Sequence, residues 1–119
     1  MAQLDATTKI RFQNFVENVN SISESSLDLN VQFIDPVNIK VDVLVGVSSG
    51  TLEVDLGRVC KDQYKGCNLV ADYLLGRIAN LVAVLMKNPD SDIQEMLTNI
   101  GVSVKKVIES LVDKSNANS

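Results

Sequence analysis

The chain has no histidine and no tryptophan, and only two cysteines, two prolines, three phenylalanines and two tyrosines among its 119 residues. Without histidine, the commonest general base and a leading metal ligand are both missing. Cys60 and Cys67 alone cannot fill a four-ligand zinc site. Serines are abundant but none has a visible activating partner, which leaves lysine and carboxylate chemistry as the only catalytic routes open. An enzyme is therefore not expected, and neither is a cofactor or a metal. Eleven cationic side chains against fifteen acidic ones give a net charge of −4. That balance argues against a nucleic-acid partner, because neutralising phosphates needs a basic face. The first twenty residues hold Asp5, Lys9, Arg11 and Glu17 and no continuous apolar stretch, so no secretory signal is read there. The longest apolar run, Ile78 to Met86 with Asn80 inside it, is shorter than the roughly 20 residues a bilayer span needs. These absences point to a cytoplasmic protein with reduced thiols and no membrane partner.

What is present specifies an architecture. A 45% hydrophobic chain of this length supports one domain with a real core, read as residues 1–119 with 1–7 and 115–119 frayed. Phe12, Phe15, Val16, Val19 and Ile22 recur at helical spacing within residues 8–23 and predict an amphipathic helix. Leu27, Leu29, Val31 and Phe33 then alternate with Asp28, Asn30 and Gln32, the period of a strand buried on one side. Ile39 to Val47 forms a second alternation, and Leu52, Val54 and Leu56 a third. A two-residue Ser49-Gly50 loop would pair Val47 with Leu52, Val45 with Val54 and Val43 with Leu56, turning both apolar sets to one face. The expected sheet is a three-stranded antiparallel meander whose other face carries Lys40, Asp42, Glu53 and Asp55.

A second helix is predicted over about 66–86, with apolar residues on nearly every side. Asn88-Pro89-Asp90 breaks it. Ser91-Asp92-Ile93-Gln94 fits a capping box opening a further helix, in which Gly101 reads as a break or kink. The fold class is thus α+β. More apolar helix surface is present than one small sheet can bury, so the chain is expected to form a dimer or higher oligomer through the second helix. Asp72, Arg77 and Asn80 are polar positions in that apolar cylinder. They mark either its one solvated edge or a face turned to a symmetry mate or ligand.

Residues Gly57 to Asn68 hold Arg58, Lys61 and Lys65 ahead of the second helix. Backbone N–H groups at a helix start carry partial positive charge, so Arg58, Lys61, Tyr64, Lys65, Gly66 and Asn68 form a candidate seat for an anionic small molecule. The spacing is not that of a Walker loop. The same residues also fit an ordinary connection in which Asn68 or Asp62 caps the helix and the lysines are solvated.

The phrase Thr51-Leu52-Glu53-Val54-Asp55-Leu56-Gly57-Arg58, the long helix after it and Pro89-Asp90-Ser91-Asp92-Ile93-Gln94-Glu95-Met96-Leu97 together resemble the TSCPD-type domain. That domain occurs at the C-terminal end of cobalamin-dependent ribonucleotide reductases and in small free-standing proteins. The likeness spans about residues 41–101 and implies a nucleotide-metabolism accessory. The Thr-Ser-Cys-Pro-Asp phrase itself is absent, so no metal site is carried over. The order helix, three-strand meander, helix is also similar to the YbaB-like nucleoid-associated family, which dimerises. Two functions follow as expectations. One is a non-catalytic homo-oligomer holding a phosphate-bearing, nucleotide-like ligand at the loop before the second helix, as an accessory or a ligand-sequestering protein. The other is an architectural or adaptor protein that recognises a macromolecule.

Overall fold

A computed structural model describes residues 6–23, 27–34, 37–60 and 64–117. The order is α1 (Ala6–Ser23), β1 (Leu27–Ile34), β2 (Asn38–Val45), β3 (Ser48–Asp55), α2 (Gly57–Cys60), α3 (Tyr64–Lys87) and α4 (Ile93–Ala117). The α+β reading holds, with an antiparallel sheet in the order β1-β2-β3. Leu27, Leu29, Ile39, Val41, Val43, Gly50 and Val54 are buried on one face. The helices cover that face, with α1 against β1, α4 against β3, and α3 touching both other long helices. The opposite face carries Asp28, Asn30, Lys40, Asp42, Glu53 and Asp55, as the alternation predicts.

The hairpin register differs from the expected one. β3 begins at Ser48, Val45 faces Ser48, Val41 faces Leu52 and Ile39 faces Val54. Relative to the expected pairing the strand has slid by an even number of residues. An even slide keeps every apolar residue on its face, so the hydrophobic pattern could not choose between the two. The turn chooses. Gly46, at φ 62°, adopts the left-handed conformation that tight hairpin turns require and that costs glycine little.

Gly50 is therefore a strand residue. A Cβ there would stand 2.9 Å from both Ile93 Cγ2 and Leu97 Cδ1, so the glycine lets α4 lie directly on β3. Gly101 has the same use. It does not break α4, and a Cβ on it would come within 3.0 Å of Leu52 Cδ1.

Both outer strands are closed in part by a side-chain amide. On the β1 edge, Asn20 Oδ1 accepts from the Leu29 N–H and Asn20 Nδ2 donates to the Leu29 carbonyl, each at 2.9 Å. On the β3 edge, Gln94 Oε1 accepts from the Thr51 N–H at 3.1 Å and Gln94 Nε2 donates to the Thr51 carbonyl at 3.3 Å. Each carboxamide supplies the donor and acceptor that a further strand would offer. Gln94 is thus taken from the expected capping box. The cap of α4 is Asp92, whose Oδ1 accepts from the Glu95 N–H at 3.1 Å.

Other expectations are corrected by packing. Ile22 is 71% exposed, although Phe12 and Val19 on the same helix are buried. α4 runs to Ala117. The helix α3 is not packed all round. Val70, Leu74, Ile78, Leu81, Val82 and Leu85 are buried, whereas Leu69, Tyr73, Val84 and Met86 are exposed. By length and composition Gly66–Lys87 could cross a membrane, yet its inner face forms part of this core. The thiols expected to be reduced are joined: Cys60 and Cys67 form a disulfide, fully buried, between α2 and α3.

Candidate functional site

The segment expected to be one loop is largely helical. Asp55 Oδ1 accepts from the Gly57 N–H at 2.8 Å, and the Leu56 carbonyl accepts from the Cys60 N–H at 2.9 Å. That turn is α2, and it puts Arg58 on the surface while burying Val59 and Cys60. α3 begins at Tyr64, so Gly66 and Asn68 lie within its first turns and not ahead of them. Gly66 is buried. Asn68 Oδ1 accepts from the nearly inaccessible Thr8 hydroxyl at 3.1 Å, which ties α3 to α1. Lys61, and the side chains of Tyr64 and Lys65, lie outside the described residues.

The other candidate polar positions separate. Asp72 pairs with Arg11 at 3.0 Å, both groups being about half exposed, and such a pair contributes at most about 1 kcal/mol. Arg77 and Asn80 line a cleft of about 220 Å³ between α3 and α4, with Leu81, Val84, Met96, Asn99 and Ile100. Among the described residues, the buried Arg77 Nε has no hydrogen-bond partner.

Arg58 belongs to a larger cleft. It is about 290 Å³ and is lined by Glu53, Val54 and Asp55 of β3, Arg58 of α2, and Gly101, Val104, Lys105 and Ile108 of α4. This lies at the small end of the roughly 300–1,000 Å³ that ligand clefts span. Its cause is the course of α4, which touches β3 at Gly50 and Leu52 and leaves a gap further along. The apolar lining is Val54, Val104 and Ile108. Arg58 and Lys105 are matched in number by Glu53 and Asp55, so the lining is formally neutral.

The backbone of β3 also faces this gap. Thr51 turns its N–H and carbonyl away from β2, since Gln94 holds both. Backbone direction alternates along a strand, so Glu53 turns the same way. Among the described residues neither polar group of the Glu53 backbone has an outward partner. Sequence reasoning did not find Lys105, which lies on a different element far along the chain from Arg58. In the sequence Glu53 and Asp55 stand only as polar residues of the sheet's other face. Among the described residues, no three of His, Cys, Asp and Glu are grouped to hold a metal ion.

Searches against protein-family models, curated proteins and solved structures find no match for this chain.

Proposed function

We propose that the protein is a non-catalytic binding module that holds one compact anionic group between Arg58 and Lys105. The observation that carries this reading is the cleft itself: an apolar floor, two cations from different elements, and two carboxylates beside them. Asp55 is anchored on the Gly57 N–H, which keeps its charge at the rim. A nucleotide's phosphate chain would meet both carboxylates, and like charges at close quarters repel. The geometry therefore favours a carboxylate or one phosphate monoester over a polyphosphate. The interaction-protein reading moves ahead of the nucleotide-holding one.

Titration of the labelled protein with acetate, inorganic phosphate and ADP, followed by amide chemical shifts, tests this. Acetate or phosphate should shift Glu53, Arg58, Lys105 and their neighbours in a saturable manner, with ADP no stronger than phosphate. The double variant Arg58→Ala, Lys105→Ala should lose the effect. No saturable shift at these residues with any of the three would overturn the reading, and tight ADP binding there would restore the nucleotide one.

The reading includes self-association through α3. Leu69 (54% exposed), Tyr73 and Val84 lie with Gly76, Asn80 and Ala83 on its outer side, a mostly apolar stripe of the kind that soluble chains cover with a partner. Light scattering at micromolar concentration should give a dimer mass that falls to the monomer in Leu69→Glu. A parent monomer sinks this part. A cytoplasmic location remains part of the proposal, and it requires that burial keep the Cys60–Cys67 bond from cellular reductants.

A further inference from the structure

We infer that the cleft receives the free C-terminus of an extended peptide, which adds to β3 at Glu53 as a short fourth strand and places its terminal carboxylate at Arg58 and Lys105. The inference rests on the anion-binding reading above and names the source of the anion. Strand addition needs an outward N–H and C=O on an edge strand, together with space beside it. Leu29 and Thr51 offer the backbone groups, but Asn20 and Gln94 occupy them. Glu53 offers both groups, unpartnered, beside a cleft.

The length of the gap decides between a chain end and a through-going segment. Gln94 closes it at Thr51, and α2 turns the chain across its other end just beyond Asp55. From Thr51 to Asp55 a strand advances about 13 Å, enough for about three residues. A chain that stops there fits, and one that runs on collides with α2. Arg58 sits at that closed end on α2, where a peptide running parallel to β3 would present its terminal carboxylate.

A second copy of the chain fits worse. Pairing two β3 edges antiparallel about Glu53 sets that carboxylate directly against its own copy, an arrangement that destabilises a sheet. The peptide has no such conflict, and its single negative charge complements the two cations without adding a second charge against Glu53 and Asp55.

The test is selection of a random pentapeptide library displayed with free C-termini against the full chain, followed by anisotropy of the enriched peptide. Amidating its C-terminus, N-methylating the peptide bond that faces Glu53, and Arg58→Ala in the protein should each weaken binding at least tenfold. Glu53→Pro should do the same, because it removes the outward N–H while leaving the β2 ladder bonded. Should Glu53→Pro fail to fold, the N-methylated peptide still decides. Failure to enrich any peptide overturns the inference, as does binding indifferent to both amidation and N-methylation. If acetate shifts Glu53 and Arg58 while no peptide is retained, the anion-binding reading survives and this inference falls. If peptides bind through Glu53 without regard to Arg58 or Lys105, the anion-binding reading falls and this inference falls with it.

Discussion

Replacing Phe12 with alanine should lower the unfolding free energy by about 3–5 kcal/mol, the range for removing a large aromatic from a closed core. Phe12 is fully buried and meets the Phe33 ring edge-on, with centroids 5.7 Å apart. It is the contact through which α1 holds the end of β1 away from the Asn20 clamp. Loss of its ring leaves a void between a helix and a strand that Asn20 keeps in place, so the site cannot collapse freely. Small domains have only about 5–15 kcal/mol in total. The urea midpoint should therefore fall sharply, whereas Ile22→Ala on the same helix should stay within about 0.5 kcal/mol. If both substitutions have the same effect, α1 does not pack as described.

The second large effect is expected at the disulfide. Cys60 and Cys67 are seven residues apart in sequence, and closing a loop of that size in the unfolded chain stabilises by roughly 2–3 kcal/mol on the chain-entropy estimate. The double variant Cys60→Ala, Cys67→Ala should melt roughly 8–15 °C lower, taking several degrees per kcal/mol for a domain of this size. The parent without denaturant should release no thiol to an alkylating reagent after mild reduction, because both sulfur atoms are sealed. An unchanged melting temperature in the variant would show that the bond contributes nothing to the fold.

The sequence made the strands legible because each alternates strictly, and made α3 legible because its apolar residues are dense. Both signals are local. The failures occur where the deciding partner is distant. Gly50 reads as a turn residue from its neighbours Ser48 and Ser49, yet it is a strand residue because Ile93 and Leu97 press on it. Gln94 reads as part of a cap, but a strand edge takes its amide. Asn68 reads as a ligand donor at a helix start, and its amide oxygen holds the distant Thr8. Of the candidate ligand residues whose side chains are described, Arg58 is the one placed at the cleft. Its companion Lys105 has no signature in the sequence, since one lysine on an exposed helix face is indistinguishable from any other until α4 is laid along β3. The cysteines carried a true signal that composition alone could not interpret, because spacing permits a bond without requiring one.

The two amide clamps also set an order of events during folding. Asn20 closes on Leu29 across nine residues of chain, whereas Gln94 closes on Thr51 across 43. Loop closure costs about 1.4 kcal/mol more for the longer span, since the penalty grows with the logarithm of length. The β1 edge can thus be sealed as soon as the first strand has emerged from synthesis. The β3 edge must wait until the chain has passed through α3 and made α4. Throughout that interval β3 is a bare edge, and Glu53 and Asp55, the acids that border the cleft in the finished protein, are the charges that keep nascent copies from pairing through it.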